Sequence, residues 1–374
     1  MKNAFEVNAM KKKYIIPLSV CAIMLVLNIA ARLSTAFSDF YVMKIFPYIS
    51  TPVAFLSGLL PCSFGELLIA AGILLVAVGI PLVVIMLIFM KNSRRKIRSA
   101  AALTVIYIFT YILTTETFNC FIMYHCTPFS ERYFTVSEEH TRSELTELYG
   151  ILISEANSLA DQVERDENGC FVLTDDLDEN AKSAMHKAAE KYSQLSGYYP
   201  DPKPVAYSYF MGQSGLLGIY FPFTMESNYN ADMCDINYPN TICHEYAHLK
   251  GIIQEDEAGF IAFIASTGSE SAEFRYSGYV NALEYVHNQI YKNGISEAYY
   301  LTDTISPLVI NDWFKFMPED YFEENEELEI ISTETVDAVS DAATDTSLKI
   351  NGVHDGIESY SRIVNLLLDY YFED

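Results

Sequence analysis

The stretch that decides the fold is NTICHEYAHLKGIIQEDEAGFIAFI, residues 240–264. Asn240 and Thr241 are residue types that cap a helix N-terminus. Gly251 is a natural C-terminal stop, and apolar spacing resumes after Glu255. The segment therefore predicts two helices joined by a short turn.

The first of these helices carries His244, Glu245 and His248 in an H-E-x-x-H pattern. Residues four apart lie on the same helix face, so the two imidazoles can bind one small cation together. Glu245 lies about 100° around the same turn, where it can hold an attacking water without taking a coordination site. Zinc accepts neutral histidine nitrogens, and its catalytic sites use three protein ligands. The pattern predicts a catalytic zinc centre with Glu245 as general base.

The third zinc ligand is expected in the acidic segment EDEA, residues 255–258. A metzincin would carry a histidine six residues beyond the second histidine, but this chain has Gln254 there. The segment instead resembles the E-x-x-A helix of gluzincins, and this resemblance implies that Glu255 completes the zinc shell. Gluzincins usually continue with Asp or Asn, where this chain has Gly259. Glu257 stays as the alternative ligand.

Three apolar runs predict membrane-spanning helices at about residues 14–33, 67–90 and 101–124. Each is long enough to cross a hydrocarbon core of about 30 Å. A cleaved signal peptide is the alternative for the first run, although its length and the flanking Arg32 favour an uncleaved anchor. We therefore predict a membrane domain at residues 1–124 and a separate domain at residues 125–374.

The distribution of charge predicts how these parts are oriented. Basic residues precede the first run and fill the loop between the second and third runs. Because basic residues are enriched on the cytoplasmic side of membrane proteins, we expect the N-terminus and this loop to lie in the cytoplasm. Residues 125–374 are then extracytoplasmic, at a cell membrane that the chain crosses several times. They carry 13 Lys and Arg against 45 Asp and Glu, a net charge of −32. Such an acidic domain repels phosphates, so nucleic acid is excluded as a partner. The three apolar runs make the lipid bilayer an expected partner.

The residues before the H-E-x-x-H helix have a different pattern. Residues 204–211 and 216–224 are rich in β-branched and aromatic side chains, with Gly212 and Gly215 between them. They predict a small sheet, so the expected fold is mainly α with a small β-sheet (α+β). In zinc peptidases of this type, an edge strand at this place pairs with an extended substrate.

Seven cysteines are spread along the chain without metal-binding spacing. Their odd number argues against a disulfide framework. Two pairs stay as candidates for disulfide formation, Cys120 with Cys126 and Cys170 with Cys234.

Residues 218–230, 241–263 and 274–279 resemble an uncharacterised bacterial family of membrane-anchored, predicted zinc metallopeptidases, described only as a domain of unknown function. The loop at residues 48–66 is also similar to the first extracytoplasmic loop of that family. The resemblance implies three membrane spans and a gluzincin-like metalloprotease domain outside the membrane. It implies no particular substrate.

Stabilising a transition state requires a hydrogen-bond donor besides the metal. Arg275 and Tyr276 in the segment FRYSGY are the candidates, and the alternative is that this segment only packs the core. The predicted function is metal-dependent hydrolysis of a peptide bond in a peptide or protein substrate. Two alternatives stay open: a non-catalytic receptor or assembly factor with a structural zinc, and a zinc amidase that acts on cell-wall material.

Overall fold

The protein is described by a computed structural model that covers residues 2–137, 140–353 and 362–372. These residues form a mainly helical fold with a small sheet, as predicted. The α-helices are α1 (Lys2–Leu33), α2 (Thr35–Phe40), α3 (Phe46–Gly58), α4 (Phe64–Leu74), α5 (Ile80–Phe89), α6 (Arg94–Glu116), α7 (Phe129–Tyr133), α8 (Arg142–Ala160), α9 (Leu177–Lys191), α10 (Ser208–Gln213), α11 (Tyr238–His248), α12 (Glu255–Thr267), α13 (Ala272–Lys292), α14 (Tyr299–Thr302), α15 (Pro307–Asp312), α16 (Tyr321–Glu324), α17 (Thr333–Ile350) and α18 (Ile363–Phe372). The strands are β1 (Lys203–Pro204), β2 (Gly218–Phe221) and β3 (Glu226–Tyr229).

Three helical stretches among the described residues are long and apolar enough to cross a membrane: Lys13–Leu33, Phe64–Phe89 and Lys91–His125. They coincide with the three runs expected from the sequence. The third stretch begins ten residues earlier than predicted, because the 3₁₀ turn Lys91–Ser93 and the basic first turns of α6 are helical ahead of the apolar run. The orientation of these helices in the membrane stays a prediction, as does the domain boundary at residue 125.

The core of residues 125–374 is built around α11, α12 and α13, which pack against one another and against α8 and α9. Helix α8 begins with a capping box, in which Thr141 and Glu144 satisfy each other's backbone donors. Its apolar residues recur at helical spacing and are buried. Large aromatic side chains fill the centre of the core: Tyr149, Tyr246, Phe260, Phe263, Phe274 and Tyr276.

The described sheet has three strands in the order β1-β3-β2, so β2 lies at an edge. β2 runs antiparallel to β3, and β1 runs parallel to it. The prediction of a strand at residues 204–211 is wrong over most of its length, because residues 208–213 form the helix α10. Tyr209 and Met211 are buried there, and aromatic and apolar side chains of this kind pack equally well on a helix.

Two buried side chains attach the second membrane stretch to the sheet. Both carboxylate oxygens of Glu226 on β3 accept backbone hydrogen bonds at the start of α4, from Phe64 at 3.0 Å and from Gly65 at 2.8 Å. The ammonium group of Lys203 on β1 donates to Glu226 at 2.6 Å. This network holds the sheet at the start of α4, the first helix of the second candidate membrane stretch.

All seven cysteines are free thiols in this structure. Neither of the two candidate disulfides therefore forms here. Cys243, next to the H-E-x-x-H histidine, is fully buried, and burial raises its pKa to about 12. It is a small apolar core residue at neutral pH.

Candidate metal centre

The centre is formed where α11 ends and α12 begins. Gly251 has φ +82°, the left-handed conformation that glycine tolerates, and its N–H donates to the carbonyl of His248. The chain reverses direction at this glycine, and α12 packs closely along α11. Glu255, the first residue of α12, thereby faces the histidines of α11.

Three potential ligand atoms converge at this point. Nε2 of His244 lies 3.1 Å from Nε2 of His248. Oε2 of Glu255 lies 3.0 Å from Nε2 of His244 and 3.6 Å from Nε2 of His248. Side-chain atoms of His244, His248 and Glu245 also lie within 4.8 Å of one another. The structure thus brings together all four residues that the sequence predicted for a metal centre.

A hydrogen bond orients the ring of His248. Its Nδ1 donates to the carbonyl oxygen of Ile252 at 2.7 Å, so Nε2 is directed toward His244 and Glu255. Ligand histidines typically make such a bond through the nitrogen that does not face the metal. The turn that places Glu255 therefore also orients a histidine.

The pocket favours positive charge. Burial by itself would lower the pKa of His248, but Glu255, Glu245 and the Ile252 carbonyl raise it to about 9. Burial would raise the pKa of Glu255, yet the two histidines hold it well below its usual range. Carboxylates next to the Nε2 atoms stabilise a cation there, whether a proton or a metal ion.

Glu245 is buried, with 4% of its surface exposed. Burial raises the pKa of its carboxyl group, although the two histidines and the backbone of Tyr220 on β2 oppose this increase. Its Oε2 atom has no hydrogen-bond partner in the part of the chain that the structure describes. A buried, unsatisfied carboxylate oxygen destabilises a fold, so its presence beside two histidines indicates a site for a further group.

The other two acids of the EDE cluster point elsewhere. Both oxygens of Glu257 accept hydrogen bonds from Ser130, at 2.9 Å from the backbone and 2.5 Å from the hydroxyl. Asp256 forms an ion pair with Arg362 at 2.9 Å. Glu255, not Glu257, therefore faces the histidines.

Arg275 and Tyr276 have partners outside this cluster. The Tyr276 hydroxyl donates to Asp312 at 2.5 Å and accepts from Arg165 at 3.1 Å. Arg275 donates to two backbone carbonyls of residues 269–270. The structure shows no contact of either side chain with the two histidines, and their predicted role in transition-state stabilisation stays a prediction.

Two residues at the centre were not identified from the sequence. Gly218 on β2 lies against Glu245, and an added Cβ there would be 2.5 Å from its Oε1. The ring of Tyr220 lies 5.8 Å from the ring of His248, and its hydroxyl donates to the carbonyl of Asn119. Asn119 belongs to the third membrane stretch, which therefore borders the centre. Tyr220 and Asn119 are about one hundred residues apart in the chain, so no local sequence pattern could have predicted this contact.

The residues present fit a zinc ion. Two imidazole nitrogens and one carboxylate oxygen form a donor set that zinc accepts, and catalytic zinc sites use three protein ligands. The side chains of His244 and Glu255 are 19% and 20% exposed, so solvent reaches one side of the cluster. The unpartnered Oε2 of Glu245 lies beside it.

Searches against curated proteins and against solved structures found no match. A family described as "Protein of unknown function (DUF3810)" matches residues 41–368. This range contains the sheet, both helices of the candidate metal centre and two of the three membrane stretches. Because the match extends over most of the sequence, the chain belongs to the DUF3810 family.

Proposed function

We propose that the protein is a membrane-anchored, zinc-dependent metallopeptidase with a gluzincin-like centre. His244, His248 and Glu255 bind the metal, and Glu245 is the general base. The observation that carries this proposal is the convergence of three ligand atoms within 3.6 Å beside the unpartnered Oε2 of Glu245.

A bound zinc ion would make a water molecule acidic enough to be deprotonated near neutral pH and would polarise the scissile carbonyl. Oε2 of Glu245 is free to accept the proton from the attacking water. Its pKa is raised by burial, so the protonated carboxyl can pass this proton to the leaving amine. The edge strand β2 offers backbone groups for pairing with an extended peptide beside Glu245.

Two observations favour a catalytic role over a structural zinc. Structural zinc sites are closed by four protein ligands, whereas this cluster offers three and is partly open to solvent. A structural site also has no use for a buried glutamate whose oxygen lacks a partner. A receptor or assembly factor would need neither feature. An amidase acting on cell-wall material would share both, so only substrate tests separate it from a peptidase.

The test compares three forms of the full chain in detergent: wild type, Glu245→Gln and the control Glu167→Gln, which changes an exposed glutamate. Each is assayed for bound zinc and for cleavage of a peptide library and of cell-wall fragments. We expect about one zinc per chain in all three, with peptide cleavage lost only in Glu245→Gln.

Three outcomes would overturn parts of the proposal. Protein that takes up no zinc excludes the metal centre. Equal cleavage by wild type and Glu245→Gln excludes the general base. Cleavage of cell-wall fragments without peptide cleavage would replace the peptidase by the amidase.

A further inference from the structure

The segment between the first two membrane stretches is itself helical. Helix α2, the π-helical residues Tyr41–Ile45 and helix α3 follow one another without a break from Thr35 to Gly58. One face of this segment is buried against the rest of the protein. Its buried residues are Ser38, Tyr41, Val42, Phe46, Ser50, Ala54 and Ser57.

The opposite face carries mainly apolar side chains that are more than half exposed in this structure. Its most exposed large side chains are Phe40 at 58%, Tyr48 at 81%, Phe55 at 51%, Leu56 at 63% and Leu59 at 66%. Residues 40, 48, 55 and 59 are spaced by multiples of about 3.6, so they lie along one side of a helix. An exposed apolar stripe of this length is unfavourable in water.

The connections of this segment indicate that it runs along the membrane surface. It spans 6, 5 and 13 residues in its three parts, or about 36 Å at 1.5 Å per residue. It starts directly after Leu33, where the first membrane stretch ends, and the second stretch starts at Phe64. Residues 59–63 reach at most about 18 Å, too short to return from a helix that rises away from the membrane.

We propose that residues 35–58 form an interfacial helix whose apolar face is embedded in the membrane leaflet on the side of residues 125–374. The partner is the boundary between lipid head groups and acyl chains, continuous with the lipid that surrounds the two stretches it joins. The segment carries two charged residues, one of which lies on the exposed face. Asp39 is turned inward to Thr127 and Arg132. Lys44 is exposed, and its long side chain can extend along the apolar face so that the ammonium group reaches the head groups.

The interfacial helix also supports the candidate metal centre. An added Cβ on Gly251, in the turn between α11 and α12, would lie 3.2 Å from Val42 and 3.3 Å from Phe46. The Tyr41 hydroxyl donates to the carbonyl of Phe118. The carbonyl of the next residue, Asn119, accepts the hydrogen bond from the Tyr220 hydroxyl. The helix thereby holds the centre at the membrane surface. If the proposed function is correct, the substrates are polypeptides attached to the same membrane.

The test measures the depth of single tryptophans in the full chain, reconstituted in vesicles of phosphatidylcholine with and without bromine on the acyl chains. The chain has one tryptophan, Trp313, so Trp313→Phe provides the background. Tyr48→Trp reports on the interfacial helix, and Leu56→Trp is a second reporter if the first variant folds poorly. Tyr300→Trp is the matched control, since Tyr300 is 64% exposed and lies on α14.

We expect brominated lipid to quench the Tyr48→Trp and Leu56→Trp indoles at least about twofold, while aqueous iodide has little effect. The Tyr300→Trp indole should show the reverse. Quenching of the Tyr48→Trp and Leu56→Trp indoles by iodide to the same extent as the control would overturn the proposal. Protection from both quenchers would also overturn it, because a second copy of the chain would then cover the face. Neither quenching measurement depends on bound metal or on peptide cleavage. A failure of the interfacial placement can therefore be distinguished from a failure of the proposed function.

Discussion

Gly218 and Glu245 are packed so closely that a single methyl group at Gly218 would lie 2.5 Å from the carboxylate oxygen Oε1. The same methyl would lie 2.8 Å from the side chain of Thr241, one helical turn before Glu245. Strand β2 therefore passes directly over the glutamate that we propose as general base. Glycine is needed here for close approach.

Gly218→Ala should displace either β2 or the Glu245 side chain, because neither contact can accept a Cβ. We expect peptide cleavage to fall by at least about tenfold while zinc stays bound, since the ligands are on other residues. The control is Gly150→Ala, where the nearest atom to the new Cβ is 3.9 Å away. Wild-type turnover in Gly218→Ala would contradict the close packing described here.

Glu255→Gln should weaken zinc binding by more than about 100-fold, because it removes a charged ligand from the first coordination shell. Glu257→Gln should keep near wild-type zinc affinity, because Glu257 is bonded to Ser130 instead. Zinc affinity of the two full-length variants is measured by competition with a chelator. The opposite ranking would make Glu257 the ligand.

Lys203→Met should destabilise the fold by about 3–5 kcal/mol, because it leaves the carboxylate of Glu226 buried without its counter-ion. Lys182→Met, which removes the partner of the exposed Asp201, should cost less than about 1 kcal/mol, because Asp201 stays hydrated. Unfolding of each full-length variant in mixed detergent micelles gives the free-energy difference. Equal costs for the two variants would show that the buried pair contributes no more to the stability of the fold than the pair with the exposed Asp201.

Glu284 should make the fold less stable as the pH rises from about 4.5 to 7. Burial raises the pKa of Glu284 to about 7, against 4.5 for an ordinary glutamate. Between these values the native state binds more protons than the unfolded state, so stability is fully present below pH 4.5 and declines toward pH 7. The total decline is at most about 3 kcal/mol.

This pH effect is checked by thermal unfolding of the full chain at pH 5 and pH 7. Glu284→Gln should reduce the difference between the two midpoints, because glutamine does not titrate. Glu297→Gln, at an exposed position on the segment that follows α13, should leave the difference as in wild type. The prediction fails if Glu284→Gln also retains the full difference.

Two segments differ from their predicted conformation for the same physical reason. Residues 208–211 belong to the predicted strand 204–211 but are helical. Their conformation is decided by the packing of α10 against α17 and against the rings of Tyr321 and Phe322. The sequence predicts a loop at residues 48–66, but the helix α3 extends into it as far as Gly58. Its amphipathic face becomes evident only when the buried residues are known.

The features that the sequence determined by itself are those that depend on local spacing along the chain. The spacing of His244, Glu245 and His248 places them on neighbouring faces of one helix because helical geometry repeats every 3.6 residues. The length of the apolar runs likewise predicts the membrane stretches without further information. The tertiary structure alone decided that Glu255 rather than Glu257 meets the histidines, and that Gly218 lies against Glu245. These contacts depend on how α12 and β2 pack on α11, and packing is set by side chains far apart in the chain.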